Sequence, residues 1–351
     1  MNKNFLKSIL KKLTLKFIVL VFFLLLLIST YAVLPELTIG SWNLMNFGER
    51  PNHIAGICGV ISKQNIDILL LQEIKSEGKG VKAIVTCLRE MNRDYNYAIT
   101  KQVKKSPGNA EGYAVLFKNN KGITLEDLIP GSHIIKRADE IEIINAAGKT
   151  FTMIEQGDDY NFNQMVRPPM ECNFLINDEN LTVYNSHITF CTENVNALPG
   201  NNNIQKEIEI QEAAISERHK PQEENIVVGG DFNAGGKSLR GGLKCEAKCR
   251  DLMPDKSWYD STPYKTDTAV VCSKDNEEPS CKSYDHIFIS NFMKNNYDFE
   301  FKVIGPPPSH DGKSTPKFFH NSNHRLITLK MTPKITTASQ TINETPMRGT
   351  I

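Results

Sequence analysis

The stretch Asn225–Ala234, NIVVGGDFNA, constrains the chain most. Ile226, Val227 and Val228 form a short apolar run, expected as a buried strand. Two glycines are expected to stop it, since Gly turns or approaches a neighbour at no steric cost. Asp231 and Asn233 then stand two apart, so in extended backbone both leave the same face. A carboxylate beside a carboxamide at a strand end can hold a hydrated divalent cation and orient a water or phosphate oxygen. An Asx-rich turn is the plainer alternative.

With 351 residues and 40% hydrophobic content, the chain can bury one large core or two small ones. Its N-terminus differs from the rest. Lys3, Lys7, Lys11, Lys12 and Lys16 precede an unbroken apolar run from Phe17 to Ile28, and Ser29, Thr30, Tyr31 and the small Ala32 follow. That pattern describes an export signal. Counted as residues 17–34, the run also approaches the ~17–25 residues that span a bilayer, so a cleaved signal and an uncleaved anchor both stay open. The expected organisation is a signal segment at 1–35, a catalytic domain at 36–331 outside the cytoplasm, and a polar, disordered tail at 332–351. Losing the five lysines of residues 1–35, which hold no acid, turns the net charge from +1 to −4. A polyanion must therefore be met by a local basic patch or bound metal. Eight cysteines in an exported chain favour disulfides, one of them within Gly235–Ser280 or from it to Cys281. A four-thiolate zinc site of Cys245, Cys249, Cys272 and Cys281 is the alternative.

Strands are expected at Leu37–Trp42, Ile66–Leu71, Tyr95–Ile99, Tyr113–Phe117, Ile141–Ile144, Thr150–Ile154, Met170–Ile176, Leu181–Tyr184, Ile287–Ile289, Phe299–Val303 and Arg325–Met331. Helical spacing marks His53–Lys63, Gly80–Met91 and Asn203–His219. Strands outnumber helices, which fits mixed sheets packed on each other with a few helices outside. The expected strand ends carry one kind of chemistry: Asn43, Glu73, His187, Asp231 with Asn233, and Asp285, with Asn323-His324 before the last strand.

In order, these segments resemble the endonuclease/exonuclease/phosphatase superfamily, whose type member is deoxyribonuclease I. SWNLMNFG is similar to its opening strand, LLLQE to the motif with a metal-binding glutamate (Glu73), and RPPMECNF to an Arg-x-Pro segment that puts Arg167 near a phosphate. YNSHITF matches the catalytic histidine at His187, GDFNA the signature, YDHIFI the Asp285 position and NHRLITL the closing histidine, His324. AEGYAVLF resembles the segment whose glutamate, here Glu111, supports the first histidine. The resemblance covers Leu37 to Met331. It implies an α/β fold, a four-layer α/β/β/α sandwich of two mixed β-sheets flanked by helices.

It also implies phosphoester hydrolysis by an activated water, with Mg²⁺ or Mn²⁺ held by Glu73, Asn43 and Asn323. Asp231 orients or deprotonates the water, Asn233 bonds a non-bridging oxygen, and Arg167 contacts phosphate. His187 with Glu111 and His324 with Asp285 are the acid–base pairs. Nucleic acid is the expected substrate, DNA ahead of RNA, because Lys101–Lys105 and Lys237–Lys256 form basic segments that can track a phosphate backbone. A monomer is expected, tied to a membrane only if residues 17–34 stay uncleaved. A lipid phosphoesterase (phosphoinositide phosphatase or sphingomyelinase) is the alternative, with Phe318-Phe319 as a small apolar point. A binding module that has lost its metal is the third reading.

That third reading leans on Asn323, where the superfamily has Asp. An amide oxygen can ligate a hard cation but brings no charge. Asn323→Asp is therefore expected to lower the Mg²⁺ concentration for half-maximal activity. An unchanged requirement would place residue 323 away from the metal.

Overall fold

Ile68–Leu71 lacks polar alternation because both of its faces are covered. Ile68 and Leu70 point into one apolar cluster, and Leu69 and Leu71 into another. The computed structural model describes residues 33–48, 51–75, 78–100, 111–130, 169–188, 203–233, 284–305 and 324–334, with residues 14, 16 and 17 and short strands at 143–144, 150–151, 238–240, 243–245 and 258–260. The chain divides into two compact units, Met1–Val33 and Leu34–Ile351. In the first, Thr14, Lys16 and Phe17 are helical and exposed. Among the described residues no helix is long and apolar enough to cross a membrane; most of the expected span at 17–34 lies outside them.

In chain order the second unit runs β1 (Leu37–Phe47), α1 (Pro51–Gln64), β2 (Ile68–Ile74), α2 (Lys79–Glu90), β3 (Tyr95–Ile99), β4 (Gly112–Lys118), β5 (Ile123–Pro130), β6 (Ile143–Ile144), β7 (Thr150–Phe151), β8 (Met170–Ile176) and β9 (Glu179–His187). It continues with α3 (Asn203–Arg218), β10 (Ile226–Asp231), β11 (Ser238–Arg240), β12 (Leu243–Cys245), β13 (Trp258–Asp260), β14 (Asp285–Ser290), α4 (Asn291–Asn296), β15 (Tyr297–Ile304) and β16 (Leu326–Pro333). One six-stranded sheet has the order β15-β16-β1-β2-β4-β3, the other β13-β14-β10-β9-β8-β5. Each pairs one parallel couple, β1–β2 or β9–β10, with antiparallel neighbours. Both sheets are therefore mixed, as expected.

The sheets pack face to face around Ile39, Ile68, Leu70, Val115, Phe174, Val183, Val227 and Ile287. Across the first sheet, Trp42, Leu69 and Leu71 meet Ile57, Cys58 and Ile61 of α1 and Val81, Ile84 and Leu88 of α2. On the second sheet's outer side, Ser186 and Glu171 bond Gln211 and Arg218 of α3. Helix–sheet–sheet–helix is the result. Pro51 fits the first turn of α1, where a missing N–H costs nothing. Asn65, just past its end, takes the left-handed conformation of a helix C-terminus (φ 52°).

Sequence and structure part at several points. Gly229 and Gly230 do not stop the strand, for β10 runs through them to Asp231. They are small because neighbours press close. A Cβ on Gly229 would lie 2.9 Å from Leu70 Cδ1 in the facing sheet, and one on Gly230 would overlap the Ser186 carbonyl oxygen. β16 extends to Pro333, and Lys334 N bonds Asn296 O, so order continues past 332. The strand Ile123–Pro130 and the short helix Asn291–Asn296 are additions, their polar insertions having masked a regular period. Cys58, Cys87 and Cys172 are free thiols. Cys58 and Cys172 sit in apolar packing, where a thiol acts as a small hydrophobe, so the even count does not mean full pairing. A disulfide of the 235–281 segment lies outside the described residues.

The amino edge of the first sheet is pinned by Asp67, 1% exposed, which accepts from Thr38 N and Lys118 Nζ (each 2.8 Å) and Lys121 Nζ (3.1 Å). α3 is held by a second ionic cluster. Buried Glu171 accepts from Arg218 (2.7 Å) and Tyr184 Oη (2.8 Å), while His219 lies 3.8 Å from Glu171 and 2.9 Å from Glu224. Burial alone would depress the His219 pKa, but Glu171 and Glu224 raise it above its ordinary 6.5. Burial would raise the Glu171 pKa, yet His219, Arg218 and Tyr184 bring it below 4.5. The His219 contribution to stability is thus complete below pH 6.5 and fades as pH rises through the raised value. The Glu171 contribution is complete above 4.5 and fades in acid. The melting-temperature gap between the native chain and His219→Gln should therefore shrink from pH 6 to pH 9. A constant gap would mean that His219 packs there without its charge.

Candidate active site

Strand register assembles the site. Asp231, the last residue of β10, stands opposite His187 on β9 and Asp285 on β14. Three polar side chains thus occupy one row at the end of the second sheet. Asn43 pairs with Gln72 at the corresponding end of the first. Glu73 follows in a bulge: the β2–β4 register shifts between Leu71 and Ile74, leaving Gln72 and Glu73 opposite Tyr113. Glu73 takes a left-handed backbone (φ 58°), as does Met45 (φ 50°) beyond Asn43. Such non-glycine strain, of order 1–3 kcal/mol per residue, persists where the surroundings impose it and clusters at functional sites.

Asn43 joins the sheets. Wholly buried, it donates from Nδ2 to Glu73 Oε1 (3.0 Å) and Asp231 Oδ2 (2.9 Å). Its Oδ1 accepts from Met45 N (2.8 Å), which fixes the orientation of the amide. Asn43 therefore holds the two carboxylates, and its oxygen is bonded to the backbone.

Both histidines converge on Asp231. Nε2 of His187 lies 3.5 Å from Asp231 Oδ2, and Nε2 of His324 lies 3.4 Å from the same oxygen. Each ring has a carboxylate behind it. His187 Nδ1 is 3.3 Å from Glu111, and His324 Nδ1 is 2.8 Å from Asp285. Trp42 Nε1 donates to the His324 carbonyl (3.2 Å) and anchors the residue. Burial alone would depress the His324 pKa, but the charges of Asp285, Asp231 and Glu73 and the bond to Asp285 push it up to about 10.

Asn233 sits in a left-handed turn (φ 49°). Its N–H donates to Asp231 Oδ1 (2.8 Å) and its Nδ2 to Ile188 O (2.7 Å). The extended geometry that would align it with Asp231 is absent, so an Asx turn and the site coexist here. Glu73, Glu111, His187, Asp231, Asp285 and His324 are brought together around Asn43; Arg167 and Asn323 lie outside the described residues.

Two groups bring their ligand atoms within 4.8 Å of one another: Glu73, Glu111 and His187; and Asp231, Asp285 and His324. In the second, the facing carboxylates favour the protonated form of the His324 ring. Glu73 and Asp231 share the Asn43 donor but belong to different groups, and the carboxylates of either suit a hard cation that keeps most of its water. Sequence reasoning passed over Gln72 and Asn185, both wholly buried under the site. Their signal was a polar side chain inside an apolar strand, one residue before Glu73 and two before His187.

Residues 40–295 match the Endonuclease/Exonuclease/phosphatase family. No curated protein matches the chain by sequence. Among solved structures, the mannosyl-6-phosphatase of Bacteroides thetaiotaomicron VPI-5482 aligns at TM-score 0.50 and 14% identity, over 84% of this chain and 99% of that one. A humanized D. rerio TDP2 aligns at 0.51 and 14%, over 84% and 98%. D. rerio TDP2 complexed with a single-strand DNA product aligns at 0.50 and 14%, over 84% and 98%. These likenesses share the fold.

In the metal-free chain, the His324 ring should remain protonated through neutral pH and lose its proton near 10. Asp285→Asn removes the partner charge and should lower that value, as read by NMR titration of the ring protons. An equal value in both proteins would show that Asp285 does not set it.

Proposed function

The chain belongs to the endonuclease/exonuclease/phosphatase family, a family of phosphoric ester hydrolases, and on that premise we propose that it is a divalent-metal-dependent phosphodiesterase cleaving nucleic acid, DNA ahead of RNA. One observation carries the reading: two carboxylate-backed histidines whose Nε2 atoms face one buried aspartate at 3.5 and 3.4 Å. A diester has a poor alkoxide leaving group, so its hydrolysis gains from a base for the water and an acid for the departing oxygen. A protonated His324 suits contact with the phosphoryl group or proton donation. Asp231 is placed to orient the water or take its proton, and Glu111 fixes the tautomer of His187 so that Nε2 faces the reaction.

Mg²⁺ or Mn²⁺ at Glu73 and Asp231 would supply Lewis-acid polarisation of a phosphoryl oxygen. Asn43 keeps the two carboxylates a fixed distance apart. Arg167 and Asn323 enter the proposal through the resemblance, as phosphate contact and metal ligand. The nucleic-acid substrate is supported by the basic segments Lys101–Lys105 and Lys237–Lys256, and by a fold relative solved with a single-strand DNA product. We assign the catalytic domain to the outside of the cytoplasm, on the five lysines preceding the apolar run from Phe17.

The full chain, assayed with Mg²⁺ and with EDTA against plasmid DNA, RNA, a sugar monophosphate, phosphoinositide and sphingomyelin, tests this. Metal-dependent cleavage of DNA is expected. His187→Ala and Asp231→Ala should each lower turnover roughly 10²–10⁴-fold with the fold intact. Turnover of the monoester or lipids alone, with nucleic acid untouched, would overturn the substrate.

A further inference from the structure

Glu73 leaves a bulge, and bulges need something to hold them. The last regular rung before it pairs Leu71 with Ala114, and pairing resumes at Ile74 and Gly112. Into this break comes a side chain from the other sheet. Asn185 of β9 donates from Nδ2 to Leu71 O and to Ala114 O, both at 3.0 Å. Its Oδ1 accepts from Gln72 Nε2 at 2.7 Å, and Gln72 Nε2 also reaches Ser41 Oγ at 3.1 Å. Both amide hydrogens and the oxygen of Asn185 are used, with the side chain 0% exposed.

Its position along β9 matters as much. Asn185 and His187 are two apart on one strand, so they share a face. The strand that presents His187 is thereby bolted to the bulge that presents Glu73. Ser186, between them, faces the other way and bonds Gln211 of α3 at 2.6 Å. Packing alone can hold two sheets together, but it leaves them free to slide by fractions of an ångström. Two directed bonds to one rung and a third to Gln72 fix the slide and the twist together.

We propose that Asn185 is a positioning residue for cation binding: it clamps the Glu73 bulge against the His187 strand and so sets the spacing between Glu73 and Asp231. This rests on the metal-dependent reading above. Partners bonded directly to a ligand are worth roughly 10–100-fold in metal affinity, and Asn185, one bond further out, falls at the low end of that range.

The test measures Mn²⁺ affinity of the full chain by electron paramagnetic resonance of the free ion, beside thermal melting. Asn185→Leu keeps the branch at Cγ and removes all three bonds; its Mn²⁺ Kd is expected to rise roughly 10-fold. Val183→Ala, in the same strand and the inter-sheet core, is the control for stability and should leave Kd unchanged. Gln72→Met removes the 2.7 Å bond while the two carbonyl contacts remain. It serves if Asn185→Leu does not fold, and a smaller rise in Kd is expected. A folded Asn185→Leu with native Kd overturns the proposal, as does a native Kd in Gln72→Met should the first variant not fold. So does a loss in Val183→Ala that matches Asn185→Leu at equal melting temperature. A native chain that binds no Mn²⁺ at all removes the metal-dependent reading and this proposal together, which separates that failure from the others.

Discussion

Two carboxylates from different sheets meet on one amide nitrogen, and most of what is functional in this fold depends on that meeting. Glu73 comes from the first sheet and Asp231 from the second, and Asn43 Nδ2 lies 3.0 and 2.9 Å from their oxygens. Unaided, two negative groups this close in a low-dielectric cleft repel each other. A neutral donor between them offsets part of the repulsion without adding a positive charge that would compete with a cation. An ammonium at this position would neutralise the pair, and an aliphatic side chain would leave it unrestrained. Carboxamide is the group that gathers two anions and leaves them anionic.

The sheets can carry such a site because their packing is demanding elsewhere. Ile68 and Leu70 face the second sheet while Leu69 and Leu71 face the helices, so one tetrapeptide commits the strand to two cores. A slip of one residue would exchange the two sets and turn Glu73 to the other face. Gly229 tightens the constraint, since a Cβ there would press on the Leu70 methyl at 2.9 Å. At the amino edge, Asp67 and its two lysines close the sheet. The carboxyl edge is left to the reactive groups.

The sequence made much of this legible, and physical reasons separate what was read from what was not. Apolar runs and strand-end polar residues located β1, β2, β9, β10 and β14, because burial on two faces leaves a strong signal. His187 with Glu111 and His324 with Asp285 came from the resemblance, and each pair is made between the two sheets, Glu111 preceding β4 and His324 preceding β16. Asn43 was legible as a member of the site but not as a donor, since spacing says nothing about which amide atom faces inward. Asn185 stayed hidden because an asparagine beside a catalytic histidine looks like any strand-end polar residue. Its partners, two backbone carbonyls of the other sheet, leave no trace in sequence. The glycines of GGDFN misled for a related reason: the space they make is for Leu70 and Ser186 and has nothing to do with ending a strand.

Charge is the remaining question, and it bears on how an anionic substrate approaches an acidic cleft. Glu73, Glu111, Asp231 and Asp285 surround two histidines, and of these His324 is positive at neutral pH. Its charge is spent on the Asp285 and Asp231 carboxylates it touches, at 2.8 and 3.4 Å. The carboxylates nearest Asn43 therefore present negative potential to the outside. In the proposed reaction, a cation held by these carboxylates would offset that potential for the phosphoester substrate. The acid–base pairs behind can then stay fixed, held by side chains that the two cores have already locked.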